Sequence, residues 1–288
     1  MSNCVFLCPP AFMHHHGQAI NFSQCAKLQG DISKASQGWL RAQELRFVNC
    51  PLLEGDLSCL ALLQALTTVE FHECAKLTGS FANAFPASPS STTTAATDSN
   101  DEGMRGNIVA IDANGHLHLR VLSFKNCPSL ECSLEDLSHL TALRQLEMSQ
   151  CSHVKGDLQH LTRLVELRML SLQQCERLRG DLVSLARCTQ LEKASFRGCS
   201  IHGNLRTIAH WPNLEMLDCR GCLVAAPDGC PRGAERDLNY GTRSACLELG
   251  AWIRTETNSG VITGRDKGNG MGSSSKRGSN GKQKAPVA

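Results

Sequence analysis

Sixteen cysteines and eleven histidines are the residues of this 288-residue chain that could act as nucleophiles or metal ligands. A catalytic thiol needs a neighbouring base and a lowered pKa. Eight of the cysteines instead recur at regular intervals: Cys25, Cys50, Cys74, Cys127, Cys151, Cys175, Cys199 and Cys222 are separated by 25, 24, 53, 24, 24, 24 and 23 residues. The spacing predicts that these thiols are structural and inert, because no cysteine differs in its surroundings from the others.

A zinc site is the alternative for the C-terminal cysteines, because Cys219, Cys222, Cys230 and Cys246 include one CxxC pair. However, Cys222 belongs to the regular series, and Cys219 stands where other repeats carry a core residue. The three consecutive histidines at positions 14–16 are expected to be solvated. The Gly- and Lys-rich tail lacks a GxxxxGK[ST] phosphate-binding loop. We therefore expect no enzyme activity, no metal, no cofactor and no small-molecule substrate.

One pattern surrounds each regular cysteine: apolar, any, apolar, two polar residues, Cys, two more residues, apolar, any, Gly, then Asp, Asn or Ser. The clearest copies are LSLQQCERLRGDL from Leu170 and LRFVNCPLLEGDL from Leu45. The alternating apolar residues predict a short strand with one buried face. Successive strands are expected to stack into a parallel sheet.

The residues after each cysteine predict a turn and a short helix. Glycines 30, 55, 79, 156, 180 and 203 allow a backbone with positive φ. The residues that follow are good helix N-caps: Asp31, Asp56, Ser80, Asp157, Asp181 and Asn204, with Ser133 in the copy that lacks the glycine. A short α-helix or 3-10 segment is expected after each of these seven residues.

The pattern resembles the leucine-rich-repeat family, from about Gly17 to Gly229. The motif LxxLxLxxC carries the resemblance, as in LRQLEMSQC from Leu143 and LRMLSLQQC from Leu167. The cysteine resembles the cysteine-containing class of these repeats, whereas the glycine and the 24-residue period resemble the plant-type class. The resemblance implies an α/β fold: a right-handed solenoid with a parallel concave sheet and short helices or 3-10 segments on the convex side.

The sequence predicts four segments. Residues 1–16 form an N-terminal extension without the positive region of a secretory signal. Residues 17–230 form the solenoid of about eight repeats, with a Ser/Thr-rich insertion at 86–104 that composition predicts to be disordered. Residues 231–255 are expected to cap the last repeat. Residues 256–288 form a disordered basic tail with six Lys or Arg against two acidic residues.

In this family partners commonly dock on the concave sheet, which implies a binding face. The twelve residues predicted to contact a partner are Glu44, Arg46, Glu70, His72, Glu73, Lys125, Glu147, Gln150, Gln174, Lys193, Arg197 and Arg220. Ser123, Ser171, Ser195 and Asp218 are expected to be exposed on the same face. Acidic residues come early in this set and basic residues late, which predicts a dipolar groove.

These observations predict a non-enzymatic scaffold that binds a partner protein on its concave face. The alternatives are a substrate-recognition adaptor of a ubiquitin-ligase-type assembly, or the ligand-binding part of a larger receptor-like protein. The formal net charge of +2 is too small to predict nucleic acid or an anionic membrane as partner. Reduced thiols and the lack of an export signal favour the cytoplasm, or alternatively the nucleus.

Overall fold

The computed structural model describes residues 18–86 and 118–225. The predicted N-terminal extension, the insertion beyond Pro86, the capping segment and the basic tail lie outside the described residues. So do the histidines at 14–16 and two of the four cysteines considered for zinc, Cys230 and Cys246.

Strands dominate the described part of the chain. In chain order they are β1 (Ala19–Ser23), β2 (Gln29–Asp31), β3 (Glu44–Val48), β4 (Leu52–Asp56), β5 (Thr68–His72), β6 (Lys76–Thr78), β7 (Val121–Lys125), β8 (Cys132–Ser133), β9 (Gln145–Ser149), β10 (Val154–Asp157), β11 (Met169–Ser171), β12 (Arg177–Asp181), β13 (Lys193–Ser195), β14 (Ser200–Asn204), β15 (Met216–Asp218) and β16 (Leu223–Ala225).

The odd-numbered strands form one eight-stranded sheet in the order β1-β3-β5-β7-β9-β11-β13-β15. Every pair is parallel and in register, so that equivalent residues of successive repeats lie side by side: Leu45 pairs with Val69, and Leu122 with Leu146. Each repeat therefore forms one coil, and its odd-numbered strand lies on the concave sheet. This arrangement confirms the predicted leucine-rich-repeat solenoid.

Short helices follow the even-numbered strands. They are α1 (Ile32–Ala35), α2 (Phe81–Ala84) and the 3-10 helices η1 (Ser36–Trp39), η2 (Leu57–Leu62), η3 (Leu134–Leu137), η4 (Leu158–Leu161), η5 (Leu182–Leu185) and η6 (Leu205–His210). Six of the seven predicted N-caps are confirmed, because their side chains accept a hydrogen bond from a main-chain N–H of the first turn. Ser80 occupies the predicted N-cap position of α2, but its side chain makes no capping hydrogen bond.

The core is one continuous stack of apolar layers. The second and fourth positions of the concave strands point inward, and Leu45, Phe47, Val69 and Phe71 are fully buried there. In the first four coils the fourth position is aromatic, and the rings stack at centroid distances of 5.4, 5.3 and 5.7 Å: Phe22 on Phe47, Phe47 on Phe71, and Phe71 on Phe124. The sequence reasoning missed this stack, although the four phenylalanines occupy equivalent places in the repeat.

The even-numbered strands form a second layer of parallel sheet that was not predicted. It is divided into β2-β4-β6 and β8-β10-β12-β14-β16. The repeat glycines have the predicted positive φ, between 107° and 139°, but they lie within or directly beside these strands and not in a free turn. The alternation of apolar and polar residues around the glycine is too short to predict a strand. The strand forms because this segment pairs with the neighbouring coils.

The insertion leaves the concave sheet intact. Strands β5 and β7 pair over five residues, with Phe71 beside Phe124, although 48 positions separate the two strands in sequence. In the second layer only an isolated bridge between Ser80 and Glu131 spans this place. The prediction that the stack continues through Leu119, Leu122 and Phe124 is confirmed, because closing a longer loop costs little entropy.

Candidate binding face on the concave sheet

Three rows of side chains point outward from the concave sheet. They are formed by the first, third and fifth residues of each strand, and we call them the first, third and fifth rows after these positions. A further outward position follows at the strand end. The first row holds the predicted residues Glu44 and Lys193. The third row holds Arg46, Glu70 and Glu147; the fifth row holds His72, Lys125, Arg197 and Arg220; and the strand-end position holds Glu73, Gln150 and Gln174.

A hydrogen-bonded network occupies the middle of the face and links three coils. His72 Nε2 lies 2.8 Å from Ser123 Oγ, and Ser123 Oγ donates to Glu147 Oε2 at 3.2 Å. Lys125 Nζ lies 2.9 Å from the other oxygen of Glu147. Since the single proton of Ser123 goes to the carboxylate, we assign the His72 proton to Nε2, which donates to Ser123. Burial, and next the charge of Lys125, lower the pKa of His72 and favour its neutral form.

This network does not form a nucleophile. The Ser123 side chain is only 1% exposed, and its hydroxyl donates to a carboxylate and not to a histidine base. In a serine nucleophile the histidine would stand between the serine and the acid. The arrangement instead fixes the positions of His72, Lys125 and Glu147 relative to one another.

Two further charge clusters lie toward the two ends of the face. Arg46 Nε is 3.5 Å from Glu44, and Arg46 Nη1 is 3.9 Å from Glu70. At the other end Arg220 binds Asp218 with two nitrogens, at 2.9 and 2.6 Å. Burial alone would raise the pKa of Asp218, but the hydrogen bonds from Arg220 hold it below its ordinary value.

Ion pairs reduce the predicted charge difference along the groove but do not remove it. The early coils carry Glu44, Glu70 and Glu73 against Arg46, and the late coils carry Lys193, Arg197 and Arg220 against Asp218. Of the charged residues predicted here, Glu73, Lys193 and Arg197 make no ion pair within the described part of the chain. Glu73 and Arg197 are also exposed.

The third row is recessed in coil four and in coils six to eight, whereas Arg46, Glu70 and Glu147 fill it with long side chains in coils two, three and five. Ser123, Ser171, Ser195 and Asp218 are 1%, 7%, 2% and 8% exposed, so the prediction that they are exposed is wrong. Their short side chains lie beneath longer ones; for example, Gln173 Nε2 reaches over to the hydroxyl of Ser171 at 3.2 Å. In these four coils the face is therefore a shallow trough with long polar side chains along its sides.

The strand-end position adopts left-handed backbone in every coil. Gln24, Asn49, Glu73, Asn126, Gln150 and Gln174 have φ between 50° and 60°, and Gly198 and Gly221 follow in the last two coils. The main-chain N–H of this position donates to the next strand, as from Gln150 to Gln173 at 3.0 Å. Sequence reasoning missed this feature; the recurrence of Asn, Gln or Gly directly before seven of the eight regular cysteines was the available signal.

The regular cysteines form the predicted structural column. Each described thiol from Cys50 onward donates to the carbonyl of the fourth strand residue in the preceding coil; Cys127 contacts Phe71 O at 3.4 Å and Cys175 contacts Met148 O at 3.4 Å. Burial raises the pKa of both thiols to about 12. No disulfide joins the cysteines within residues 18–86 and 118–225.

Both cysteines of the CxxC pair have a structural role. Cys222 donates to Phe196 O at 3.0 Å, and Cys219 is 5% exposed in the core. The described residues contain no group of three or more His, Cys, Asp or Glu placed to hold a metal ion. Within that part of the chain, no helix is long and apolar enough to cross a membrane.

A small open pocket adjoins the face at the strand ends of two adjacent coils. Its volume is about 390 Å³, and its walls are Gln150, Ser152, Gln174, Glu176 and Arg177. Two of these residues, Gln150 and Gln174, belong to the predicted binding set. The pocket is polar and shallow, and it extends the face toward the second layer of sheet.

No protein-family model and no curated protein sequence matches the chain. Solved structures with a similar fold include the leucine-rich-repeat ectodomain of the Arabidopsis thaliana receptor kinase GASSHO1/SCHENGEN3, in complex with CASPARIAN STRIP INTEGRITY FACTOR 2. It is 17% identical, with a TM-score of 0.44, over 69% of this chain and 21% of that chain. Internalin C2 from Listeria monocytogenes is 16% identical, with a TM-score of 0.43, over 74% of this chain and 75% of its own.

A leucine-rich-repeat protein of Leptospira interrogans is 12% identical, with a TM-score of 0.43, over 71% of this chain and 49% of its own. The chain thus spans about a fifth of the plant ectodomain and half of the Leptospira protein. Because these TM-scores are below 0.5, the fold assignment rests on the strand order and register of the chain itself.

Proposed function

We propose that this leucine-rich-repeat solenoid is a non-enzymatic interaction module that binds a partner protein on its concave face. The observation that supports the proposal most is the ordered outward surface of the eight-stranded sheet. Its ion pairs and its His72–Ser123–Glu147 network join side chains of different coils. Such a surface loses little side-chain entropy when a partner binds, because its rotamers are already restricted.

The dimensions of the face suit a protein partner. At about 4.8 Å per strand, eight parallel strands extend over roughly 35 Å, which is enough for one side of a standard interface. The trough along the third row gives the surface a relief that an extended or helical segment can follow. The long polar side chains along the trough would form the polar rim of the interface. None of the twelve predicted residues is an aromatic anchor, which favours a partner that contributes the anchoring side chain.

The proposal that the module is not an enzyme has support from its two kinds of candidate nucleophile. Six of the eight regular thiols are buried, Cys25 and Cys222 are partly exposed, and Ser123 donates to Glu147. Burial keeps these six thiols and Ser123 away from a substrate. The unpaired outward groups of the predicted set are carboxamides and single charges, which suit binding.

The test of the binding face uses side chains that hold no part of the fold. Arg197→Glu and Glu73→Lys reverse two exposed charges at opposite parts of the face and break no ion pair. Partners are captured from the native cell with the full chain, identified by mass spectrometry, and then measured one at a time by titration. We expect each reversal to weaken binding of the true partner by about tenfold or more, because both charges lie at the proposed interface.

Matched controls are Lys27→Glu and Lys76→Glu, which reverse exposed charges outside the concave strands and break no ion pair within the described residues. These variants are expected to bind as the unaltered protein does. If the controls weaken binding as much as the concave variants, the partner does not use this face and the proposal is wrong.

We further propose that the chain works in a reducing compartment such as the cytoplasm. The regular thiols of the described coils support this. They act as hydrogen-bond donors, and none of them is joined to another cysteine by a disulfide. Counting free thiols in protein isolated from its native cell under alkylating conditions tests this proposal. Disulfide-linked ladder cysteines would contradict it.

A further inference from the structure

The surface of coils five to seven that lies outside the concave strands, here called the outer surface, carries unpaired positive charge. Residues 152–165, 176–189 and 200–213 contribute six permanent cations to it against three carboxylates. All six cations are exposed: Lys155, Arg163, Arg177, Arg179, Arg187 and Arg206. The small net charge of the whole chain gives no indication of this local excess of positive charge, which is evident only from the structure.

Two of the cations are neighbours across the second layer of sheet. Lys155 pairs with Arg177 on adjacent strands, whereas Arg179 pairs with Asp157 on one side and Ser200 on the other. Arg163 and Arg187 occupy equivalent positions of the repeat, after η4 and η5. Adjacent strands are about 5 Å apart.

These six side chains are unpaired, as are Lys193 and Arg197 of the concave face, whereas five cations on and beside the concave sheet are paired. On the concave face and along its edge Arg46, Lys125, Arg144, Arg168 and Arg220 each lie within 4.0 Å of a carboxylate. Within residues 118–225, none of the six outer cations makes an ion pair or a side-chain hydrogen bond.

The arrangement is unfavourable for the isolated protein. Lys155 and Arg177 are direct neighbours on paired strands, and like charges in that position destabilise a sheet. Of the three carboxylates in this region, Asp157 and Asp181 are turned inward and accept hydrogen bonds from the first turns of η4 and η5. They offset the exposed cations only partly, and Glu176 is the remaining exposed acid.

Apolar side chains accompany the charges. Val183 is 56% exposed, and it lies beside Arg206 at the equivalent position of the next coil; Val165 is 43% exposed near Arg163. A protein interface combines apolar contacts with a polar rim. A nucleic-acid backbone would gain nothing from the valines and would be repelled by Glu176.

We propose that this outer basic surface binds an acidic protein segment, in which carboxylates surround a small number of apolar side chains. Arginine forks suit the bidentate geometry of carboxylates, and five of the six cations are arginines. Apart from Arg177, which lines the pocket with Gln150 and Gln174, these cations lie outside the proposed concave face. The module can therefore hold two partners, or two parts of one partner, at the same time.

The test is fluorescence anisotropy with the full chain and a labelled peptide in which aspartates and glutamates flank two central leucines. A combined variant, R163Q/R179Q/R187Q/R206Q, removes four outer charges and leaves Arg177, which lines the pocket beside the concave face, unchanged. The matched control R144Q/R168Q removes two arginines that are already paired with Glu166 and Glu192. Circular dichroism and thermal unfolding verify that both variants are folded.

We expect the combined variant to bind the acidic peptide at least about tenfold more weakly, while the control and Arg197→Glu bind as the unaltered protein does. Binding should weaken as NaCl rises from about 0.02 to about 0.15 M, because screening shortens the range of charge interactions. Equal binding by the combined variant and the control would overturn the proposal.

Two alternative ligands test whether the outer surface recognises phosphate and not carboxylates. If an oligouridylate RNA or vesicles containing phosphatidylserine bind more tightly than the peptide, and the same four arginines are required, the surface recognises phosphate and the proposal is overturned. Since Arg197→Glu and Glu73→Lys affect only the concave face, failure of this proposal is distinguishable from failure of the proposed function.

Discussion

Replacement of Gly180 by alanine tests the contact between neighbouring coils that the second layer of sheet creates. Gly180 has φ 131°, a region that residues with a side chain rarely adopt. A Cβ atom at this position would lie 2.7 Å from the main-chain nitrogen of Leu158 and 2.8 Å from the carboxylate of Asp157. The obstruction is thus partly backbone, which cannot rotate away.

The cost follows from two contributions. Holding alanine in this backbone region costs about 1–3 kcal/mol. Moving the Asp157 carboxylate disturbs its hydrogen bond from Gln159 N, at 2.9 Å, and loss of such a cap costs about 1 kcal/mol. We therefore expect Gly180→Ala to lower the free energy of unfolding by about 2–4 kcal/mol.

Gly198→Ala is the matched control, because it also places alanine at positive φ. Gly198 has φ 72°, and its nearest heavy atom to a new Cβ would be 3.7 Å away, an ordinary contact. The equivalent residue of the preceding coil, Gln174, already adopts φ 54° with a side chain. The expected loss is about 1 kcal/mol, the ordinary cost of left-handed backbone.

Urea unfolding followed by tryptophan fluorescence measures both losses, and circular dichroism verifies that the whole stack unfolds together. Trp39 and Trp211 report on the two end regions of the described stack, and both are almost completely buried. The reasoning requires Gly180→Ala to lose clearly more than Gly198→Ala. Equal losses would refute it, because they would mean that the second-layer strands tolerate a side chain at the glycine.

Three further outcomes are expected. Cys127→Ala should destabilise the protein by about 1 kcal/mol more than Cys188→Ala in urea titrations, since Cys127 donates to two carbonyls at 3.4 Å whereas the equally buried Cys188 has one contact at 3.9 Å. Because burial raises the pKa of Cys127 to about 12, a thiol reagent at pH 8 should label it only after unfolding, which mass spectrometry can verify; labelling in the native protein would contradict this. Because the folded state lowers the pKa of His72, the unfolded chain takes up the proton first, so the free energy of unfolding should fall as pH drops below about 6.5. His72→Gln should reduce that dependence, measured by thermal unfolding at several pH values, whereas replacement of the exposed His118 should leave it unchanged.

The repeat unit and its inward residues follow from the sequence alone. Alternating apolar residues, a cysteine and a cap residue recur about every 24 positions, and each has a local cause: strand periodicity, a small donor and an N-cap. Because the coils stack in register, these local assignments predicted the concave sheet, the cysteine column and six of the seven caps.

Only the tertiary structure decided which outward side chains are free. Arg46 and Glu70 are 24 positions apart and meet because parallel coils place equivalent residues side by side. Lys125 and Glu147 are 22 positions apart and meet diagonally across adjacent strands. The stacking of adjacent coils also buries Ser123, and it leaves the outer cations of coils five to seven without an ion-pair partner. A sequence pattern records the identity of each position but not the distance across coils, and it is that distance, about 5 Å, that determines pairing, burial and charge.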